Sequence, residues 1–563
     1  MSTRFDLVVK GGRVVDGTGM PSFSADVGVK DGRIAAIGRL DAPAERTLDA
    51  DGLLVTPGFI DVHTHYDAQL DWDPTASPSS WHGVTTVLTG NCGFTLTPAR
   101  PEDTGWLAMM LSRVEGMPAD ALAAGLRWKG GGFGDFWRRL QGRMGVNAGS
   151  YVGHSAVRRY VMGEAASERA ATDAEIRAME ELVRAAMHEG ALGFSTSQLD
   201  IHVAHDGRGV PSNHATAEEI VRLAGVLAEF GCGAIEFIPR SFAEGTNPAD
   251  RKLLLDMYRA SGRPIEIQPL NILPSEPDGW QRTLEFAHEA FAEGARIHPM
   301  FACNKISAHL SLGTTFLFDE IPSFRETLTK PSPERERLLR DRGVRDRMRR
   351  ELADPTGRAF AFVWEVFVVE AVRNPAHARH VGKSVAELAA AEGKDPLDFF
   401  LDLSLAEDLE TQFVLEAPPS DYLRQLVASQ IQDPIVMAGS SDGGAHLLSF
   451  VGADYTTRLI TEWVPDTLSL EAAVHRLTLG PAIVHGISDR GILREGAKAD
   501  ILLIDRGSLA AGRTHLVRDL PGGCPRLVVD AQGYVATVVN GTVLLENGKH
   551  TGATPGEFVR PGA

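Results

Sequence analysis

Two histidines separated by a single residue close an apolar run, Pro57-Gly58-Phe59-Ile60-Asp61-Val62-His63-Thr64-His65. Side chains alternate along a strand, so His63 and His65 leave the same face. Irregular backbone past the strand end then lets both imidazoles reach one cation. The pattern points to metal-dependent chemistry. A second strand-like run ends in Thr89-Gly90-Asn91-Cys92-Gly93, where a thiolate beside a divalent cation is a strong ligand. A packed thiol is the competing reading of Cys92, and its place after a strand favours ligation. Far along the chain, Gly439-Ser440-Ser441-Asp442-Gly443-Gly444-Ala445-His446 follows another run. An aspartate among glycines there can touch both a cation and the water it activates.

Further polar residues follow other runs. His154 ends one of them, and His202 and His205 lie beyond Ser195-Thr196-Ser197. Glu236 and Arg240 belong to a fifth run, Gln268 and Asn271 to a sixth, His298 and Asn304 to a seventh. His154 and His202 read as substrate contacts or satisfied structural histidines rather than as ligands. Glu236, Arg240 and His298 are substrate-binding candidates, with Glu236 and His298 open between function and structure.

Elements that place such residues together are legible in the pattern. Strand-like runs span Phe59 to His63, Thr85 to Gly90, Ser150 to His154, Ala191 to Ser197, Ala234 to Ile238, Pro264 to Leu270, Arg296 to Ala302 and Pro434 to Ser440. They alternate with helix-like segments, as βα units around a parallel sheet do. Eight runs suffice for a (β/α)8 TIM-like barrel, whose active sites sit at the C-terminal strand ends. Thr172 to Gly190 reads as a helix, with a Thr172/Glu175 capping box and a stripe of Ile176, Met179, Leu182, Val183 and Met187; Thr216 with Glu219 opens another in the same way. Short strands from Leu7 to Gly38, and again around 499–504 and 535–541, predict one small β-sandwich built from both termini. The α/β chain therefore divides into 1–56 and 485–563 for the sandwich and 57–484 for the barrel. Two stretches, 103–145 and 305–430, break the rhythm and are expected on the surface at strand ends. The second reads as a helical lid or subunit contact.

At 563 residues with 43% hydrophobic and 23% charged content, the chain is large enough for a decorated barrel. A net charge of −18 repels phosphate backbones and argues against nucleic acid as a partner. No apolar run reaches the roughly 20 residues that span a bilayer, and the first residues lack a signal-peptide pattern, so a cytoplasmic location with no membrane partner is expected. Cys92, Cys232, Cys303 and Cys524 show no CxxC pairing, which suits reduced thiols.

Pro57 to His65, Gly90-Asn91-Cys92-Gly93, Gly190 to Ser195, Ser441-Asp442-Gly443 and Gly491 to Asp500 resemble the amidohydrolase superfamily, and within it the D-aminoacylase (N-acyl-D-amino-acid deacylase) group, over nearly the whole chain. The resemblance implies zinc, as one or two ions or another divalent metal, and hydrolysis of a carbon–nitrogen bond other than a peptide bond. By its pattern His63, His65 and Cys92 are ligands, Cys92 stands in place of the lysine carbamate of other members, and Asp442 is the acid/base residue, which its place after the last run also makes a candidate ligand. It also implies a small N-acyl substrate and a homo-oligomer. The chain departs from the pattern where the deacylases carry metal-binding histidines at strands five and six, having Ile235-Glu236-Phe237 and Ile267-Gln268-Pro269 instead. It also lacks their lysine and His-Pro-Arg segment. Hydrolysis of a cyclic amide, carbamate or lactone is the alternative chemistry, and a non-catalytic scaffold the alternative class.

Overall fold

The computed structural model describes residues 4–242, 244–270, 276–303, 307–313, 315, 317–354, 356, 362–415, 420–439 and 441–562. Asn271, Asn304 and Ser440, named above from the sequence, lie outside them, as does the side chain of Gln268.

Both ends of the chain meet in one mixed nine-stranded sheet. The Leu54–Pro57 strand lies at its centre, parallel to Phe5–Val14 on one side and antiparallel to Ile501–Ile504 on the other. Val9, Val14, Val27, Val55, Ile501 and Val538 are buried in a core of their own. This sheet hands the chain directly to the site, since Leu54–Pro57 runs through Gly58 into Phe59–Asp61. Gly58 is required by close packing, because a Cβ there would meet Thr85 Oγ1 at 2.0 Å.

The middle of the chain is α/β. Phe59–Asp61, Val84–Thr89 and Asn147–Ser150 pair in parallel. Val152–Gly153, Gly193–Ser197, Ala234–Ile238, Ile265–Pro269, Ile297–Phe301 and Met437–Ala438 form a second parallel set. Backbone bonds from Tyr151 N to Thr89 O (3.0 Å) and Leu192 N to Ser150 O (2.8 Å) join the sets. At the far side the residues after the last strand return to the first: Thr64 bridges Gly443, and His65 N donates to Gly443 O at 2.7 Å. The eight sequence runs overlap all nine of these strands, the third meeting two, Asn147–Ser150 and Val152–Gly153, and His154 opens the helix His154–Met162 instead of ending a strand.

Helices cover the strands as their apolar stripes dictate. Asp173–His188 carries the full capping box, Thr172 N to Glu175 Oε2 at 2.7 Å and Glu175 N to Thr172 Oγ1 at 3.3 Å, and buries Ile176, Met179, Val183 and Met187. The Ala217–Gly225 helix differs. Thr216 caps it, but the Glu219 carboxylate turns inward to Arg158 Nη1 at 2.5 Å and His154 Nε2 at 2.8 Å. No helix among the described residues is long and apolar enough to cross a membrane.

The two irregular stretches differ from one another. Residues 103–145 are not a surface excursion throughout, since Leu107, Met110, Trp128, Phe133, Phe136 and Trp137 are buried in the main core. The described residues of 307–415 hold a separate core around Phe318, Phe324, Phe367, Phe400 and Phe413, with an antiparallel sheet of Ala308–Leu310, Gln412–Leu415 and Phe367–Ala371. An ion pair between Arg113 and Asp319 ties this unit to the Thr104–Val114 helix.

Candidate metal centre

The first parallel strand ends at Asp61, and the next turn of extended backbone delivers His63 and His65, both about 1% exposed. Their Nε2 atoms point to one spot. Cys92 Sγ lies 3.4 Å from His63 Nε2 and 3.8 Å from His65 Nε2, and Asp442 Oδ1 lies 3.3 Å and 3.7 Å from the same atoms. The ligand atoms of His63, His65 and Cys92 all fall within 4.8 Å of one another.

Backbone strain aims the last two donors. Cys92 (φ 58°) and Asp442 (φ 49°) both adopt the left-handed region, a conformation of order 1–3 kcal/mol above the ordinary ones that persists only where surroundings enforce it. For Cys92 the surroundings are Asn91, whose Nδ2 reaches Leu88 O (3.0 Å) and Thr64 O (3.1 Å), and Glu236, whose Oε2 accepts the Cys92 N–H at 2.7 Å. For Asp442 they are the Ser441 hydroxyl, 2.7 Å from Asp61 Oδ2 and 3.2 Å from His63 O, and the Gly443 N–H donated to Ser441 Oγ at 2.9 Å. One hydroxyl thus ties the last loop to the first strand.

Behind each imidazole stands a carboxylate that sequence reasoning missed. Glu115 Oε1 lies 3.6 Å from His65 Nδ1, and Glu266 Oε1 lies 3.9 Å from His63 Nδ1. Carboxylates in this place orient metal-binding histidines and raise their basicity. Glu266 Oε2 is held at 2.8 Å by the buried His485, and Glu115 Oε2 lies 3.7 Å from His446 Nε2. Glu266 carried a signal, being the one acid in the apolar run Ile265-Glu266-Ile267, in register with Glu236 of the neighbouring strand. Glu115 and His446 carried none, because both leave irregular segments.

Electrostatics fit a cation. Among the described residues every ion pair of Glu115, Glu266 and Asp442 is with a histidine. Burial, then the Asp442 charge, pushes the Glu115 carboxyl well above its ordinary range, and burial with Glu236 does the same to the Cys92 thiol. Burial opposes a charge on His63, yet its bond to Asp442 lifts it to about 9, while burial and His63 hold His65 well below its usual value. A divalent cation reverses this logic by favouring thiolate and carboxylate and displacing the His63 proton. His65 Nδ1 and Glu266 Oε1 are buried without a hydrogen-bond partner among the described residues. The residues fit a metal ion.

Not every predicted residue joins the cluster. Glu236 does, through Cys92. His202 lies at its rim, hydrogen-bonded to Ser197 Oγ at 2.9 Å and packed edge-on to Phe94; burial and the neighbouring His446 hold it down at about 3. Arg240, half exposed, donates to Gln198 O and Asn213 O, both at 3.3 Å, outside the cluster. His154 is corrected: fully buried, it spends both nitrogens on Thr196 Oγ1 (2.7 Å) and Glu219 (2.8 Å) and has none for a substrate. His298 is corrected as well, since it faces the helix layer against Phe291 and binds Ile435 O at 3.0 Å.

The model of the amidohydrolase family matches residues 46–545. The chain belongs to the amidohydrolase family. This amidohydrolase is similar to the N-acyl-D-aspartate deacylase of Alcaligenes xylosoxydans xylosoxydans, at 29% identity over 99% of this chain and 95% of that one. It is 40% identical to the D-aminoacylase of the same organism over 232 residues, which are 41% of this chain and 43% of that one. Among solved structures it resembles the N-acyl-D-glutamate deacylase of Bordetella bronchiseptica, crystallised with zinc and a phosphonate mimic of the tetrahedral intermediate, at a TM-score of 0.67, 25% identity and coverage of 99% and 100% of the two chains.

Proposed function

We propose that this amidohydrolase is a zinc enzyme built on a (β/α)8 barrel, hydrolysing the amide bond of an N-acyl amino acid or a related N-acyl compound. One observation carries the reading: His63, His65, Cys92 and Asp442 converge from three strand ends, with Glu115 and Glu266 behind the two imidazoles. The mixed nitrogen, sulfur and oxygen donor set suits zinc. When bound, the cation supplies Lewis acidity, making a water easier to deprotonate and an amide carbonyl easier to attack.

The chain's own residues do the rest. Asp442 is the general base and then the general acid: its carboxylate, held below the usual range by the His63 bond and charge against the cost of burial, accepts the water proton and passes it to the leaving nitrogen. Ser441 keeps that carboxylate on His63 through Asp61. His202 and His446 line the rim as neutral imidazoles, since burial first lowers both, and they offer hydrogen bonds to a substrate. The similarity to deacylases of N-acyl-D-glutamate and N-acyl-D-aspartate supports the D configuration as the first to test.

The test is a panel of N-acetyl-D- and N-acetyl-L-amino acids against wild type and Asp442→Asn. Turnover falling by about 10²–10⁴ in the variant is expected for loss of general acid–base catalysis. Retained turnover would remove Asp442 from the mechanism.

A further inference from the structure

A cavity of about 380 Å³ lies between the 103–145 stretch and the 307–415 unit. That is within the size range of small-molecule sites. Its charge is the informative property. Arg113, Lys330 and Arg335 line it, and among the described residues no carboxylate does, in a chain of net charge −18. Arg113 is neutralised by Asp319. The other two cations are not matched in this way. Lys330 has no ion pair among the described residues and is exposed. Among the described residues the Arg335 side chain reaches Glu336 at a loose 3.9 Å and donates to Gly313 O at 3.3 Å. Met109, Met117, Leu328 and Leu448 add apolar surface to the same walls.

The cavity shares a wall with the metal centre. Gly116 lines it, and a Cβ on Gly116 would stand 3.3 Å from His446 Cα. Glu115, one residue earlier, accepts the His446 N–H on its carbonyl and backs His65 with its carboxylate. Leu448 follows His446 on the loop that carries Asp442.

The geometry points to a binding site for an amphipathic organic acid, its carboxylate on Lys330 and Arg335 and its apolar part against the two methionines and two leucines. Resting on the hydrolase reading above, the acid is the substrate's own anionic end. A guanidinium beside an ammonium matches a carboxylate in shape and charge. The apolar wall adds the hydrophobic contribution that a bare inorganic anion would not gain.

Calorimetric titration of the full-length, metal-loaded protein with hexanoate, and with hexanamide as neutral counterpart, tests the site without any need for turnover. Saturable hexanoate binding is expected, with hexanamide at least about tenfold weaker, the scale of one lost charge-assisted hydrogen bond. The Lys330→Gln/Arg335→Gln variant should lose hexanoate binding by a similar factor while keeping its melting temperature and metal content. Equal binding by the variant, or by the amide, would overturn the site. Hexanoate should further inhibit hydrolysis competitively, raising KM alone; normal binding with noncompetitive inhibition would overturn its assignment to the substrate. A protein that binds hexanoate through these two residues yet hydrolyses no N-acyl compound would sustain the site and fail the hydrolase reading.

Discussion

Glu236 Oε2 accepts the backbone N–H of Cys92 at 2.7 Å. The carboxylate therefore holds the left-handed turn that aims the Cys92 thiol at His63 and His65. Glu236→Ala removes the acceptor and lets the turn relax. Zinc affinity, read by competition with a chromophoric chelator, should fall by about 10- to 100-fold, the usual effect of losing a residue that orients a ligand. Glu236→Gln retains an oxygen acceptor and should recover most of it. Unchanged affinity in the alanine variant would show that the turn holds without this bond.

Glu219 is a stability residue. It pairs with Arg158, fully buried, and with His154. Glu219→Ala leaves a buried guanidinium without its carboxylate and should cost about 3–5 kcal/mol in denaturant unfolding, with the metal site intact in the folded fraction.

The same residue sets a pH dependence. Burial opposes its charge, but His154 and Arg158 lower its pKa below the ordinary 4.5. A depressed carboxylate contributes stability that is fully present above the unfolded value and is lost as pH falls through the folded one. Wild type should therefore lose stability more steeply below pH 4.5 than Glu219→Gln does. Parallel curves would contradict the assignment.

Asp319 anchors the 307–415 unit to the Thr104–Val114 helix through Arg113. Asp319→Ala should loosen that contact and speed tryptic cleavage in the arginine-rich helices Glu334–Arg340 and Arg342–Leu352 severalfold, because proteolysis follows local opening. An unchanged cleavage rate would show that the unit's other contacts suffice.

The sequence made His63, His65, Cys92 and Asp442 legible because each follows an apolar run whose period and end are visible in the residues themselves. Cavity-lining and backing residues are another matter. Glu115 is the residue after a helix ending at Val114, and nothing in its neighbours says that its carboxylate faces His65. Thr216 and Glu219 match the capping-box spacing as well as Thr172 and Glu175 do, yet only the second pair closes the box. The first loses its glutamate to Arg158, a partner 61 positions away. His154 takes the structural one of its two readings because distant partners, Thr196 and Glu219, occupy both nitrogens. His298 fails as a substrate contact because it is the second residue of Ile297–Phe301, at the start of its strand and not at the end where the metal centre forms.

Elemental analysis of the purified protein, wild type beside a His63→Ala/His65→Ala variant, tests the central claim most directly. Bound zinc in the wild type, lost in the variant while the fold persists by circular dichroism, is the predicted result. A wild type that holds no metal even after zinc is supplied would contradict the metal centre and with it the hydrolase.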